Sequence, residues 1–356
     1  MQSGIYYGNF INSHFSSGGN QMGEKIKRKR LAILRALQEA NGPLGSAAIT
    51  DRMLAEHYEI SERTVRHHLG LMDREGLTDN LGRNGRRITP RGLEELASAR
   101  VIDRIGYLAA KIDQMTYRMN FDLSARSGTV VVNVSVVDIE SFIPAIGIIK
   151  KVFESGYAMG ELVSLLGPGE WTGEITIPKG KIGMRTVCSV TLNGVLLAHG
   201  IPTNSRFGGL LELRDHKATR FVEIIHYGAT TLDPLEIFIR SVMTDYHGAT
   251  LNGNGRIGAS FRELPAASRD QVAELAFKLE KVGLGGFMTI GWPGQPLLEI
   301  PVNEGHLGAI VAGGLNPAAI LEEKGVKVYT RALSGLAPYE TFFHYKDLDR
   351  RIQEFL

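Results

Sequence analysis

Arg63, Arg66 and His67 stand within one short stretch, Ile60 to Met72, that also carries Thr64 three residues behind Ser61. A guanidinium fork matches the acceptor edge of a guanine, and hydroxyl, imidazole and guanidinium groups all hydrogen-bond phosphate oxygens, so the chemistry is that of nucleic-acid recognition. Only an element with one dry and one wet face can present these groups together. Val65, Leu69 and Met72 recur at i, i+4 and i+7, which predicts a helix that buries them and leaves Arg63, Arg66, His67 and Gly70 on the opposite stripe. Ser61 is placed to cap it, and Glu62 sits in the first turn, where a carboxylate suits the helix dipole. The same spacing also fits an ordinary solvated helix face, so the flanks decide.

Before this helix, Lys25 to Glu39 alternates charge with Ile26, Leu31, Ile33, Leu34 and Leu37 at helical spacing. Asn41-Gly42-Pro43-Leu44-Gly45 breaks the chain, and Ser46 can cap a second helix carrying Ala48, Ile49, Met53 and Leu54. Beyond the central helix, Gly76 provides a stop, and Asn84-Gly85 is the pair that best tolerates a type I′ hairpin turn, with Arg83, Arg86 and Arg87 crowding its tip. Three helices followed by a basic hairpin predict a winged helix-turn-helix whose DNA contacts are Ser61, Arg63, Thr64, Arg66 and His67 from the helix and Arg83, Arg86 and Arg87 from the wing.

Charge agrees. Residues 24–100 hold 15 Lys and Arg against 11 Asp and Glu; the whole chain is net +2, so the remainder is net −2. A basic head is joined to a slightly acidic body. The single cysteine, Cys188, excludes an intramolecular disulfide and a Cys-rich zinc site and fits a reducing cytoplasm. No apolar run approaches a membrane span. Residues 1–23 lack charge until Glu24 and read as a disordered tail, or as sequence ahead of a start at Met22.

Thr89-Pro90 starts a fourth helix with Leu93 and Leu96 inward. A linker helix near 101–120 carries Ile102, Ile105, Ala109 and Ile112, a stripe suited either to packing on the head or to a dimer seam. From Gly128 the pattern changes to a body spanning 121–356. It has strands at Thr129 to Val137, Arg185 to Thr191, Val195 to His199, Arg220 to Tyr227, Arg256 to Arg262, Gly308 to Ala312 and Val326 to Thr330. Helices are expected near Ile139 to Glu154, Leu232 to Phe238, Arg269 to Val282 and Asn316 to Gly325, and Asn193-Gly194 suggests a hairpin. Ile177 to Gly183 echoes Ile300 to Gly308, and Leu232 to Phe238 echoes Leu336 to Phe342, which suggests an internal duplication. The expected fold is therefore α+β: an N-terminal winged helix-turn-helix at 24–100, then a mixed α/β regulatory domain.

No catalytic constellation emerges. Gly253-Asn254-Gly255-Arg256-Ile257-Gly258 matches G-x-G-x-x-G but precedes a strand, so it reads as a turn rather than a dinucleotide site. The histidines show no metal spacing, and neither a metal nor a cofactor is expected. A ligand site is easier to motivate: Gly200 to Leu210 gathers Thr203, Asn204, Ser205 and Arg206 in a Pro- and Gly-bounded loop able to offer a guanidinium fork to a small carboxylate. A polar surface turn is the plainer reading. An enzyme with a DNA-binding head is the competing class.

The sequence resembles the NrpR family, repressors of nitrogen-assimilation genes with a winged helix and one or two regulatory domains. The resemblance rests on Thr64 to Leu69, Gly85 to Thr89, Gly128 to Ser135, Thr186 to Leu197, Ser205 to Glu212, Thr230 to Phe238 and Gly313 to Pro317. It implies one regulatory domain here, a homo-oligomer, as a dimer, on a palindromic double-stranded operator, and 2-oxoglutarate as the effector that weakens DNA binding. A second NrpR-type chain or a different effector are the alternatives. Arg206 is then the expected carboxylate anchor with Thr203, Asn204 and Ser205 as donors, and Cys188, within a family-like phrase, is a further candidate.

Overall fold

The computed structural model describes residues 18–40, 42–55, 58, 60–102, 106–173 and 175–356, which fall into two compact units, Met1–Asp103 and Arg104–Leu356. Of the tail expected over 1–23, residues 1–17 lie outside the described residues, and from Gly18 the backbone is already helical.

The first unit runs α1 (Gly18–Glu39), α2 (Ser46–Ala55), α3 (Glu62–Arg74), β1 (Thr78–Asn80), β2 (Arg86–Ile88) and α4 (Pro90–Ile102). Ile33, Leu34, Leu37, Ile49, Met53, Val65, Leu69, Met72 and Leu96 form one dry core. Ile26, Leu54 and Leu93, expected inward, are exposed. Ser46 does not act as a side-chain cap; its hydroxyl donates to Glu62 Oε1 at 2.8 Å and ties the starts of α2 and α3 together. Thr89 does cap α4, accepting from the Gly92 amide at 3.0 Å.

The wing is not a two-residue type I′ hairpin. Its loop spans Leu81 to Gly85, with a 3-10 turn at Gly82–Asn84, and Leu81 N–H donates to Gly85 O at 2.8 Å. Gly85 is needed for another reason. Its φ is +90°, and a Cβ there would lie 2.4 Å from the Leu44 carbonyl carbon. Leu44 bridges Arg86 through reciprocal 2.9 Å backbone bonds, so the glycine lets a third short segment join the wing.

The second unit begins with α5 (Tyr107–Arg118). It continues with β3 (Thr129–Asp138), α6 (Ile139–Glu154), β4 (Leu162–Leu166), a small hairpin of β5 (Trp171–Thr172) and β6 (Ile175–Thr176), β7 (Lys181–Val187), α7 (Val190–Ala198), β8 (Asn204–Arg214) and β9 (Lys217–His226). After α8 (Pro234–Arg240) and α9 (Tyr246–Asn252) come β10 (Gly255–Pro265), α10 (Arg269–Glu280), β11 (Phe287–Ile290), β12 (His306–Ala312), α11 (Asn316–Glu323), β13 (Val328–Pro338), β14 (Phe343–His344) and α12 (Leu348–Arg351). Two five-stranded antiparallel sheets result, in the orders β13-β3-β7-β4-β14 and β11-β12-β10-β8-β9.

These sheets make the duplication explicit. The order β3-α6-β4-β7-α7-β8 recurs as β10-α10-β11-β12-α11-β13, and the registers match: Val132 faces Val187 as Ala259 faces Ala312. The last strand of each half lies in the other half's sheet, β8 against β10 and β13 against β3. Of the two sequence echoes, Ile177 to Gly183 and Ile300 to Gly308 do lead into equivalent strands. Leu232 to Phe238 enters a helix whereas Leu336 to Phe342 ends a strand, so that echo is not structural.

Val195 to His199 is helix rather than strand, and Asn193-Gly194 lies inside α7 instead of a hairpin. Every residue from Val190 to Leu196 is buried, so the helix has no wet face to give its period away. Gly194 is where Met119 packs; a Cβ there would lie 2.1 Å from the sulfur. Of the linker stripe, Ile112 is buried with Leu108 and Met115 in the core of the second unit. Side chains of Ile102 and Ile105 lie outside the described residues, and Ala109 is half-buried.

Candidate DNA interface and effector cavity

The start of α3 is built as the spacing requires. Ser61 accepts from the Thr64 amide at 3.2 Å, and its hydroxyl lies 2.9 Å from that of Thr64. Val65, His68, Leu69 and Met72 are buried, and Arg63, Arg66 and His67 are exposed, with Arg66 at 62% and only a 3.6 Å contact to Glu62. Exposed pairs of this kind contribute little, so the Arg66 guanidinium remains available to an incoming anion. His68 was not singled out by sequence; burial, then His67, Arg30 and Lys29, push its pKa down, so it is a core residue kept neutral.

In the wing, Arg83 and Arg87 are exposed, Arg87 at 60% with Asp79 3.8 Å away. Arg86 differs. It is only 20% exposed, and its Nε donates to Asp73 Oδ2 at 2.9 Å while Thr78 donates to the other oxygen at 2.6 Å. Arg86 therefore braces the wing against the end of α3.

The residues expected to hold a carboxylate do not converge. Asn204, Ser205 and Arg206 lie on β8 rather than in a loop, and the pairing of β8 with β10 skips Arg206, which bulges out. The Arg206 guanidinium already meets the fully buried Glu263 at 2.9 Å and the Pro301 carbonyl at 2.6 Å. Glu263 also accepts from the Asn303 amide and side chain at 3.0 and 2.7 Å. Arg206 is thus part of an internal ion pair, with Asn204 on the same carboxylate at 3.5 Å. Thr203 Oγ1 is buried without a partner.

Ser205 and Cys188 instead line a cavity at the junction of the two sheets, together with Asn133, Tyr227, Asp233, Arg262 and Leu333. Arg262 faces Ser205 across the β10–β8 pair; it is buried, donates through Nη1 to Asn193 Oδ1, and leaves Nε unpaired. Asn193 in turn donates to Ser205 at 3.0 Å. Asn133 accepts from the Leu333 amide at 3.2 Å, and its Nδ2 is unpaired. Leu333 sits at φ +49°, strained for a non-glycine residue, within the bulge of β13. The cavity therefore offers a buried guanidinium N–H and an amide N–H with nothing to donate to, an arrangement that costs free energy until an acceptor arrives.

Burial sets the charges. The Cys188 thiol is pushed up to about 12, which makes it a small buried apolar group rather than a nucleophile. Tyr227 is raised by burial, and Arg262, lowered by burial to about 10, stays protonated at neutral pH. Asp233, which caps α8 by accepting from Leu235 N–H at 2.9 Å, is raised to about 7 by burial and by Glu236, against the capping amides. The cavity measures about 20 Å³, room for one water molecule. Sequence reasoning missed Asn133, Tyr227, Asp233 and Arg262. For Arg262 the available signal was an Arg-Glu pair inside a mostly apolar stretch, Ile257 to Leu264. Among the described residues no group of three His, Cys, Asp or Glu is placed to hold a metal, and no helix is long and apolar enough to cross a membrane.

Comparison with known proteins agrees with this layout. A family profile described as NrpR regulatory domains NRD1 and 2 matches residues 105–344, and one described as a ribonuclease R winged-helix domain matches residues 31–96. The chain is 36% identical over 320 residues to the global nitrogen regulator NrpRI of Methanosarcina mazei, covering 90% of this chain and 98% of that protein. It is 30% identical to the global nitrogen regulator NrpR of Methanococcus maripaludis, covering 85% of this chain and 52% of that one. A crystal structure of a nitrogen repressor-like protein from Methanococcus jannaschii superposes with a TM-score of 0.56 at 26% identity, over 66% of this chain and 97% of that one.

Proposed function

The chain belongs to the NrpR family of nitrogen regulators, and from that premise we propose that it represses nitrogen-assimilation genes by binding a palindromic operator as a homodimer and lets go when 2-oxoglutarate enters the second unit. That it is a transcriptional regulator with a DNA-binding winged helix, rather than an enzyme, follows from its named relatives and its head. The carrying observation for operator contact is the Ser61-capped helix that holds Arg63, Arg66 and His67 outward from a dry core.

The effector reading is supported by the Arg262 and Asn133 donors rather than by Arg206. A dicarboxylate is far larger than one water, so it can be held only by a conformation in which the two halves part around the cavity. A ligand that binds one conformation and not the other shifts the balance by its full binding energy, which is the requirement for a two-state repressor. A second reading adds another NrpR-type chain. This chain spans 52% and 57% of two longer relatives, whose remaining portion another polypeptide would supply.

The test is operator-fragment binding at fixed salt, titrated with 2-oxoglutarate and with glutamate and succinate as controls. Selective release by 2-oxoglutarate is expected. Tight binding indifferent to all three acids would remove the effector from the proposal and leave the regulator.

A further inference from the structure

Asp233 is the acid of the cavity. The groups that face it are Glu236 on its own helix α8, Lys111 from α5, Cys188 at the junction of β7 and α7, Tyr227 beyond β9, and Arg262 across the cavity from β10. Cys188 and Tyr227 are held protonated by burial, and Arg262 is cationic throughout the neutral range. Only Asp233, among the cavity-lining side chains, changes charge near neutrality. Arg262 lines the same cavity, while the forces on Asp233 itself are burial and Glu236, which favour its protonated form, and the capping amides and Lys111, which favour the ionised one.

An acid ligand seated beside Arg262 brings a like charge against an ionised Asp233 that lines the same cavity. Resting on the reading that a carboxylate effector occupies this cavity, we propose that Asp233 takes up one proton from solvent as the ligand enters, so that acid and proton bind together. The linkage is reciprocal: the factor by which bound ligand raises proton affinity at Asp233 is the factor by which protonation of Asp233 raises ligand affinity. The uptake also gives the site discrimination, since a neutral carboxyl donates a hydrogen bond to a carboxylate or keto oxygen and an ionised one would instead favour an ammonium.

Titration calorimetry of the full chain with 2-oxoglutarate, in buffers of contrasting ionisation enthalpy, reads the protons directly. The expected result at pH 8 is close to one proton taken up, with Kd rising up to about tenfold per pH unit above neutrality and levelling in acid. Asp233→Asn keeps the helix cap because an amide oxygen also accepts from the first-turn amides, and it is expected to bind with a flat pH profile. Buffer-independent heats with a flat Kd in the unsubstituted protein would overturn the proposal without any variant being needed; so would a pH slope that survives in Asp233→Asn. If 2-oxoglutarate, succinate and glutarate all fail to bind between pH 6 and 8.5, the carboxylate-effector reading on which the proposal rests falls, a result distinct from binding without a proton.

Discussion

Arg206 and Glu263 form an ion pair of 2.9 Å in which the carboxylate is fully buried and the guanidinium is 22% exposed. The pair fixes the bulge of β8 against β10 and holds the 301–303 segment through Pro301 and Asn303. All of these contacts are internal to the second unit.

Arg206→Ala should therefore weaken folding rather than effector response. Removing one partner strands part of a buried carboxylate, at a cost of about 1–3 kcal/mol, moderated because Asn303 still donates to it. Urea denaturation measures the loss. If stability is unchanged while operator release by 2-oxoglutarate disappears, Arg206 belongs to the ligand site after all.

Arg262→Met removes the unpaired guanidinium N–H and keeps most of the side-chain volume in a dry site. Operator affinity in the absence of ligand should be retained, with 2-oxoglutarate binding weakened by at least about 2 kcal/mol, the scale of a charge-assisted hydrogen bond. Calorimetry and operator release should agree; unaltered affinity would take Arg262 out of the site.

Arg66, Arg86 and Arg87 should part company on DNA. Arg66→Ala should cost about 1–3 kcal/mol on the cognate site and relax its sequence preference, whereas Arg87→Ala should weaken all DNA evenly and reduce the salt slope by about one. Arg86→Ala should lower the melting temperature of the head through loss of the Asp73 contact, because that side chain is already engaged. An Arg86 variant that melts normally but loses salt dependence would return Arg86 to the DNA surface.

Asp233 also makes stability depend on pH. Its folded value of about 7 lies above the unfolded value of about 3.9, so the native state holds the extra proton between them, and stability falls as pH rises from about 4 to about 7 and then levels. Asp233→Asn should remove that part of the decline. Chemical denaturation at a series of pH values would show it, and an identical slope in the variant would assign the decline to other groups.

Much of the head was legible because α3 has a dry face and a wet one: Val65, Leu69 and Met72 against Arg63, Arg66 and His67. In the body, β3 and α6 were equally clear, since a β-branched run from Thr129 to Val137 passes directly into a helical period. The reading failed where burial is complete. α7 is buried throughout Val190 to Leu196 and so reads as strand, and Arg262 is hidden in a strand that is mostly apolar. It failed again at Arg206, where side-chain type was visible but the internal partner, 57 positions away, was not. Pairings of that separation are set by sheet topology, which local patterns do not carry.

Because each half of the second unit lends its last strand to the other, neither half owns a complete sheet. The unit is in effect a dimer joined into one polypeptide, with Asn133 and Cys188 contributed by one former partner and Arg262 and Leu333 by the other. Cutting the chain between β9 and β10 would give two fragments whose sheets each lack two strands, β13 and β14 in one and β8 and β9 in the other, and regain them only by reassociating. Sensing in such an architecture is intrinsically a matter of how two mutually dependent lobes hold on to each other.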